Sequence, residues 1–155
     1  NTLSNTLIGN SSANVLSGLS GNDTLSGMAG DDTLIGGRGV DNLTGGTGAD
    51  RFVYADYNES AAFMRQWDVI TDLGNGADLV DVTALDPNVT DRVYNAEDTF
   101  TWIGLARFST TPGQARYDDA SGLLQFSNDA DKEPEFAIFV GLGWSADVLR
   151  TYLLL

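Results

Sequence analysis

An apolar side chain returns at every ninth residue of the first third of this chain: Leu7, Leu16, Leu25, Leu34, Leu43 and Phe52. Two places before each stands an acid or its amide, at Asn5, Asn14, Asp23, Asp32, Asp41 and Asp50. The units read GLSGNDTLS (18–26), GMAGDDTLI (27–35), GGRGVDNLT (36–44) and GGTGADRFV (45–53). GNSSANVLS (9–17) is a looser copy, and residues 1–8 are the tail of another. A unit this short cannot bury an apolar face alone, so a fixed period dictates a stack of near-identical units. A flexible Gly-rich linker has no reason to keep either the apolar or the acidic position.

The spacing carries its own chemistry. Paired glycines, such as Gly27 with Gly30 and Gly36 with Gly39, mark a tight turn with positive φ or close backbone approach. The Asp-x-Leu-x that follows is a short strand with the apolar side chain inward. One turn plus one strand fills nine residues, so successive turns alternate between two edges of a flattened coil. Turns 18 residues apart then share an edge, which sets Asp23 beside Asp41 and Asp32 beside Asp50. Each pair suits one Ca²⁺, a hard cation that takes about six to eight oxygen ligands. The other ligands are turn carbonyls, drawn from Gly18, Ser20, Gly21, Gly27, Ala29, Gly30, Gly36, Gly37, Gly39, Gly46 and Gly48. Two carboxylates around one divalent ion are locally neutral, which turns their repulsion into a bridge.

The ends of the register are less regular. Asn5 and Asn14 each offer a neutral oxygen, so sites at Asn5/Asp23 and Asn14/Asp32 are expected to be weaker or to need a neighbouring acid such as Asp31. Counting on by nines from Asp50 reaches Glu59 and then Asp68. Asp68 either closes the site below Asp50 or is a solvated acid. Glu59 either closes the site below Asp41 or caps a helix.

Composition narrows the function classes. The chain has 155 residues, no Cys and no His, and a formal net charge of −14 from 22 acids. Missing Cys and His exclude disulfides, zinc–thiolate sites and every His-dependent triad. The acidic balance disfavours nucleic acid and anionic membranes and favours oxygen-liganded cations. No apolar run is long enough to span a bilayer, and no charged-then-apolar leader opens the sequence.

From residue 52 the glycines thin. WDVITDL (67–73) and ADLVDVTAL (77–85) read as β segments around a turn at Gly74-Asn75-Gly76. FTWIGL (100–105), QARYDD (114–119), LLQFS (123–127), FAIFVGL (136–142) and VLRTYLLL (148–155) read as further β runs, with a hairpin loop at 118–122. Residues 89–98 are the least structured by composition, with room for a short helix. Trp67, Trp102 and Trp144 are read as packing residues. The expected fold is all-β: a parallel β-roll over 1–53 merging into an antiparallel, sandwich-like β segment over 54–144. A distinct tail covers 145–155.

The nonapeptide resembles the calcium-binding repeat of RTX proteins. DRFVYADYNES, WDVITDL and GADLVDVTALD (within 50–86), with RFSTTPGQARYDDASGLLQFSNDADKEPEFAIFVGL (107–142), are similar to the C-terminal domain of serralysin-type secreted metalloproteases. That resemblance implies several bound Ca²⁺, an extracellular location, and export by a type I secretion machinery that reads an uncleaved C-terminal signal. It also implies a covalently linked N-terminal catalytic or adhesive domain. Where family members carry an Asp-rich loop, this chain has Ser127-Asn128-Asp129-Ala130-Asp131-Lys132, and Lys132 argues against an ion there. The leading reading is a non-catalytic, calcium-triggered folding and secretion module. The second is a polysaccharide-binding module, since similar rolls accompany alginate epimerases; a cluster of Arg65, Arg92, Arg107, Arg116 and Arg150 would favour it. A stand-alone hydrolase finds no Gly-x-Ser-x-Gly elbow or His metal motif, only adjacent acids such as Asp118/Asp119.

Overall fold

A computed structural model describes residues 1–60, 66–85, 100–102, 104–107, 109, 111, 113–128 and 133–155, without the side chains of Thr101 and Trp102. The stretch 89–98, Arg65, Arg92 and the 129–132 loop therefore lie outside the described residues. Among the described residues, no helix is long and apolar enough to cross a membrane.

The nine-residue period becomes a strand in every unit: β1 (Thr6–Ile8), β2 (Val15–Ser20), β3 (Thr24–Ala29), β4 (Thr33–Arg38), β5 (Asn42–Thr47) and β6 (Arg51–Val53). Odd and even strands fall into two different parallel sheets, as alternating turns require. The coil continues through β7 (Asp68–Ile70) and β8 (Leu79–Asp81). Leu7, Leu25, Leu43 and Ile70 are aligned in one sheet. Leu16, Leu34, Phe52 and Val80 are aligned in the other. From Leu25 to Phe52 the ladder side chains are fully buried. One leucine per unit yields about 2 kcal/mol, whereas each ordered backbone residue costs about 1 kcal/mol or more. The roll thus needs another source of cohesion.

The second half continues one of the sheets. β12 (Phe136–Phe139) pairs parallel with β7. Against it lies β11 (Leu123–Ser127), antiparallel to β12, then β10 (Gln114–Asp118), antiparallel to β11, with β9 (Thr101–Trp102) parallel to β10 at the edge. The hairpin loop falls where the sequence places it, closed by Gly122 N–H donating to the Asp118 carbonyl at 2.8 Å. Here an aromatic column forms the core: Tyr54 meets Phe136 edge-on at 5.1 Å, and Phe126 bridges Phe136 and Phe100.

The tail departs from its reading as one β run. Ala146–Arg150 is a helix, α1, and only Leu153–Leu154 form a strand, β13. Ser145 caps the helix by accepting from Val148 N–H, while Asp147 and Arg150 sit at the ends that suit their charges. β13 then pairs parallel with β8, burying Leu149 and Leu153. Trp144 packs edge-on against Tyr152, 5.4 Å between ring centres, as the packing reading expects.

The turns are crowded enough that glycine is obligatory at some positions. At Gly39, with φ +143°, a Cβ would lie 2.0 Å from the Gly21 carbonyl oxygen. Conversely, Leu19 (φ 78°) and Met28 (φ 85°) hold left-handed conformations where the next coil has Gly37 and Gly46. A side chain there costs about 1–2 kcal/mol. Two opposite outcomes are expected in urea denaturation with calcium present. Gly39→Ala should lose about 2 kcal/mol or more, whereas Leu19→Gly should be neutral or gain up to about 1 kcal/mol.

Candidate metal centres

The turns place the acids in two columns, one along each edge of the roll. Each acid is tied to its column neighbour by the same bond. The Asp23 carboxylate (Oδ1) accepts the backbone N–H of Asn5, and that of Asp41 accepts Asp23 N–H, both at 2.7 Å. On the other edge Asp32 accepts Asn14 N–H at 2.7 Å and Asp50 accepts Asp32 N–H at 2.9 Å. The pairs Asp23/Asp41 and Asp32/Asp50 expected from the period are therefore adjacent, as are Asn5/Asp23 and Asn14/Asp32.

The columns run one step further than the period reaches. Asp68 accepts Asp41 N–H at 2.8 Å, a separation of 27 residues. The sequence expectation that Asp68 lies below Asp50 is therefore corrected. Asp68 comes three nonapeptide lengths after Asp41 instead of two, and the additional length switches the edge on which it lands. The position below Asp50 belongs to Asp78, which accepts Asp50 N–H at 3.0 Å across 28 residues. Sequence reasoning missed Asp78, although Gly74-Asn75-Gly76-Ala77-Asp78 repeats the Gly46-Thr47-Gly48-Ala49-Asp50 pattern. Glu59 does not continue either column; its Oε2 accepts Ala55 N–H at 2.8 Å and Asp56 N–H at 3.3 Å, closing the turn after β6. Asp31 faces away from its column and accepts Ala49 N–H at 2.9 Å.

Each bond to Oδ1 leaves the second carboxylate oxygen over. Oδ2 of Asp23, Asp32, Asp41 and Asp50 is buried with no hydrogen-bond donor among the described residues, and the Asp68 carboxyl has only the buried Tyr54 hydroxyl beside it. Two of them, on Asp23 and Asp32, converge with a backbone carbonyl at a glycine turn, one on each edge. The point where Gly18 would carry a Cβ lies 2.4 Å from Asp23 Oδ2 and 2.6 Å from the Gly36 carbonyl oxygen. At Gly27 the same point lies 2.2 Å from Asp32 Oδ2 and 2.6 Å from the Gly45 oxygen. At Gly9 it lies 2.3 Å from Asn14 Oδ1 and 2.5 Å from the Gly27 oxygen, so the amide end of the column keeps the geometry with one charge fewer. A buried anionic oxygen facing a carbonyl oxygen is unfavourable unless a cation lies between them. The donor set is all oxygen, which fits Ca²⁺. Among the described residues no three acidic side chains gather at one place.

Burial pushes the carboxyls of Asp41, Asp50 and Asp68 up. Asp41 rises to about 6, through burial first and then the charges of Asp23 and Glu59. Asp68 rises to about 8, through burial and then Asp41 and Glu59. Asp50 and Glu59 are also raised, chiefly by burial. The buried Tyr54 hydroxyl, beside Asp68, is pushed well above its ordinary value.

The matching protein family is the Peptidase M10 serralysin C terminal, whose model covers residues 6–146. The chain belongs to this family. None of the curated proteins compared matches it. Among solved structures, it is similar to the AlgE6R3 subunit of a mannuronan C5-epimerase from Azotobacter vinelandii. The identity is 25% and the TM-score 0.61, over 99% of this chain and 78% of that one. The AlgE6R2 subunit of the same enzyme shares the fold at 23% identity and TM-score 0.61, over 99% of this chain and 92% of that one. This serralysin C-terminal chain and both neighbours are β-rolls of one kind, which fits a calcium-binding accessory module.

Raised folded-state pKa values fix the sign of the pH dependence. A carboxyl whose folded pKa exceeds its unfolded value binds protons more tightly in the fold. Its ionisation therefore costs stability as pH rises from about 4 through the folded values near 6 and 8. In calcium-free buffer, far-UV circular dichroism should show β signal increasing as pH is lowered from about 8 to about 5. In saturating calcium the trend should reverse, because protons then compete with the ion. Loss of ion-free β signal on acidification would show that the buried carboxylates are not the obstacle to folding.

Proposed function

We propose that this chain is a calcium-gated folding module of a secreted protein, with no catalysis of its own. The observation that carries the reading is the row of buried, unpartnered Asp Oδ2 atoms along each edge of the roll, one of which on each edge converges with a turn carbonyl. Bound calcium supplies the positive charge that lets these oxygens sit together. The chain's own part is to present them in register: amide-to-carboxylate bonds hold each Asp, and the glycines let the carbonyls approach. Without the ion, one leucine per unit cannot offset the ordering of nine residues, and the repeat half stays open. At extracellular calcium, ion binding stabilises the folded form by mass action and propagates from coil to coil.

Within this reading the tail, 145–155, is the export signal read by a type I machinery, and a catalytic or adhesive domain precedes the roll. Serralysin-family membership supports both. A polysaccharide ligand is the second reading, favoured by the epimerase neighbours. The arginines give it less: Arg116 pairs with Asp118 at 3.7 Å, and Arg150 donates to the Leu153 carbonyl at 3.3 Å.

Calcium titration of the depleted protein should give a cooperative gain of β signal. Asp32→Ala combined with Asp41→Ala removes a carboxylate from each column, and its midpoint should shift upward by about tenfold or more. Asp31→Ala should shift it less, and a spectrum indifferent to calcium would sink the proposal.

The tail permits a separate measurement. Deleting residues 150–155 from the full-length protein should block secretion; normal secretion of the truncated form would end the signal reading. The same deletion also removes β13, so calcium-dependent folding of the truncated protein must be followed in parallel.

A further inference from the structure

We propose that Asn75 is a spontaneous deamidation site, open to reaction with water while the roll is unfolded and protected once calcium closes it. The chemistry needs a particular neighbour as well as the amide. The backbone nitrogen of the next residue must reach the Asn side-chain carbonyl carbon, and glycine, with no Cβ, obstructs that approach least. Asn75 is the only asparagine of the chain that precedes a glycine. Both Asn75 and Gly76 are exposed, and the Gly76 N–H donates to no described residue. In the reaction the Gly76 nitrogen bonds to Asn75 Cγ, the Cγ–Nδ2 bond breaks, and ammonia leaves with the Gly76 proton. One water then opens the cyclic imide at either carbonyl. The product is aspartate, or its isomer in which the main chain runs through the side chain. Nothing is oxidised or reduced.

The surroundings decide when the step runs and what it damages. The turn is fastened at both ends to the preceding coil. Asp72 accepts Gly45 N–H at 3.0 Å and Gly46 N–H at 2.8 Å, and Asp78 accepts Asp50 N–H at 3.0 Å. Within the turn, Asp78 also accepts Gly74 N–H at 2.9 Å, and the Asn75 side-chain amide donates to the Asp72 carboxylate at 3.4 Å. A Cβ at Gly76 would run into the Gly48 carbonyl, so this residue is wedged against the roll. Ring closure requires the Asn75 amide to leave Asp72 and the Gly76 nitrogen to swing towards it, which a turn held in this way resists. An open repeat half offers no such resistance. The isomer adds one carbon to the main chain between the pinned residues Asp72 and Asp78, and either product adds a negative charge beside two carboxylates. Asp78 then no longer closes the Asp50 column in register. Time spent unfolded is recorded as a lasting loss of calcium response. The protection rests on the calcium reading; the reactive pair does not.

The test is to incubate the 155-residue chain in calcium and in chelator, then follow it by peptide mapping with mass spectrometry and by circular dichroism. Aspartate and isoaspartate should accumulate at position 75 about tenfold or more faster in chelator, since the reaction follows the population of the open form. Asn10, exposed and followed by Ser11, is the internal control and should react far more slowly. Returned to calcium, the chelator-aged chain should fold with a midpoint raised about threefold or more. Asn75→Gln, whose longer side chain closes the ring far less readily, should fold like the parent and keep its midpoint through the same ageing. Reaction at Asn75 no faster than at Asn10 in chelator would overturn the site. Equal accumulation in calcium and chelator, with a β signal that still responds to calcium, would overturn the protection and leave the calcium reading intact. A modified chain with an unchanged midpoint would overturn the link to Asp78. A β signal that ignores calcium would defeat the calcium reading and the protection built on it, and the comparison with Asn10 would still decide the site.

Discussion

Each coil is held by a backbone amide that donates to an aspartate one full turn later in the chain. That bond uses one carboxylate oxygen and aims the other inward, where no donor among the described residues meets it. Most of the roll's other features follow from this geometry. The acids must recur at a fixed interval to meet the amides. The turns must be glycine-rich, because a side chain at Gly18 or Gly27 would occupy the space between carboxylate and carbonyl. The apolar interior stays thin, because two residues after each acid only one side chain turns inward.

The chain is therefore stabilised in two different ways along its length. In the repeats, cohesion comes from ladders of polar contacts that need a counter-charge. In the sheet from β10 to β12, it comes from burial of Tyr117, Phe126, Phe136 and Ile138, which needs none. The two regimes meet at β7. There Ser60 accepts the Asp68 amide while its own backbone carbonyl accepts Ala137 N–H, fastening the last aspartate column to the aromatic half. On the far edge β8 does the same for the tail, with Val80 N–H donating to the Tyr152 carbonyl at 2.7 Å.

Much of this was written in the sequence wherever the period held. Asp23, Asp32, Asp41 and Asp50 fall where counting by nines puts them, and so do the two parallel sheets. The count failed at Asp68 because a period predicts only uninterrupted coils. Nothing in the composition of residues 54–67 announces that their length changes the edge on which the next strand lands. Asp78 was hidden for a related reason: its glycines were legible as a turn, but its distance from Asp50, 28 residues, belongs to no multiple of nine. In the tail, the short helix was disguised by Val148 and Leu149, whose β-like composition yields to the Ser145 cap and the burial of Leu149.

The direction of the amide-to-carboxylate bonds sets an order of assembly. Every coil is completed by an acid that lies later in the sequence, never earlier. The ribosome adds residues in that same order, so each coil is made before its closing partner. The two columns receive their final members only with Asp68 and Asp78, after the last repeat has been made. A nascent repeat segment of this design is always one carboxylate short at its growing end. Incompleteness during synthesis is thus a property of the bond polarity itself, whatever the ion concentration around the ribosome.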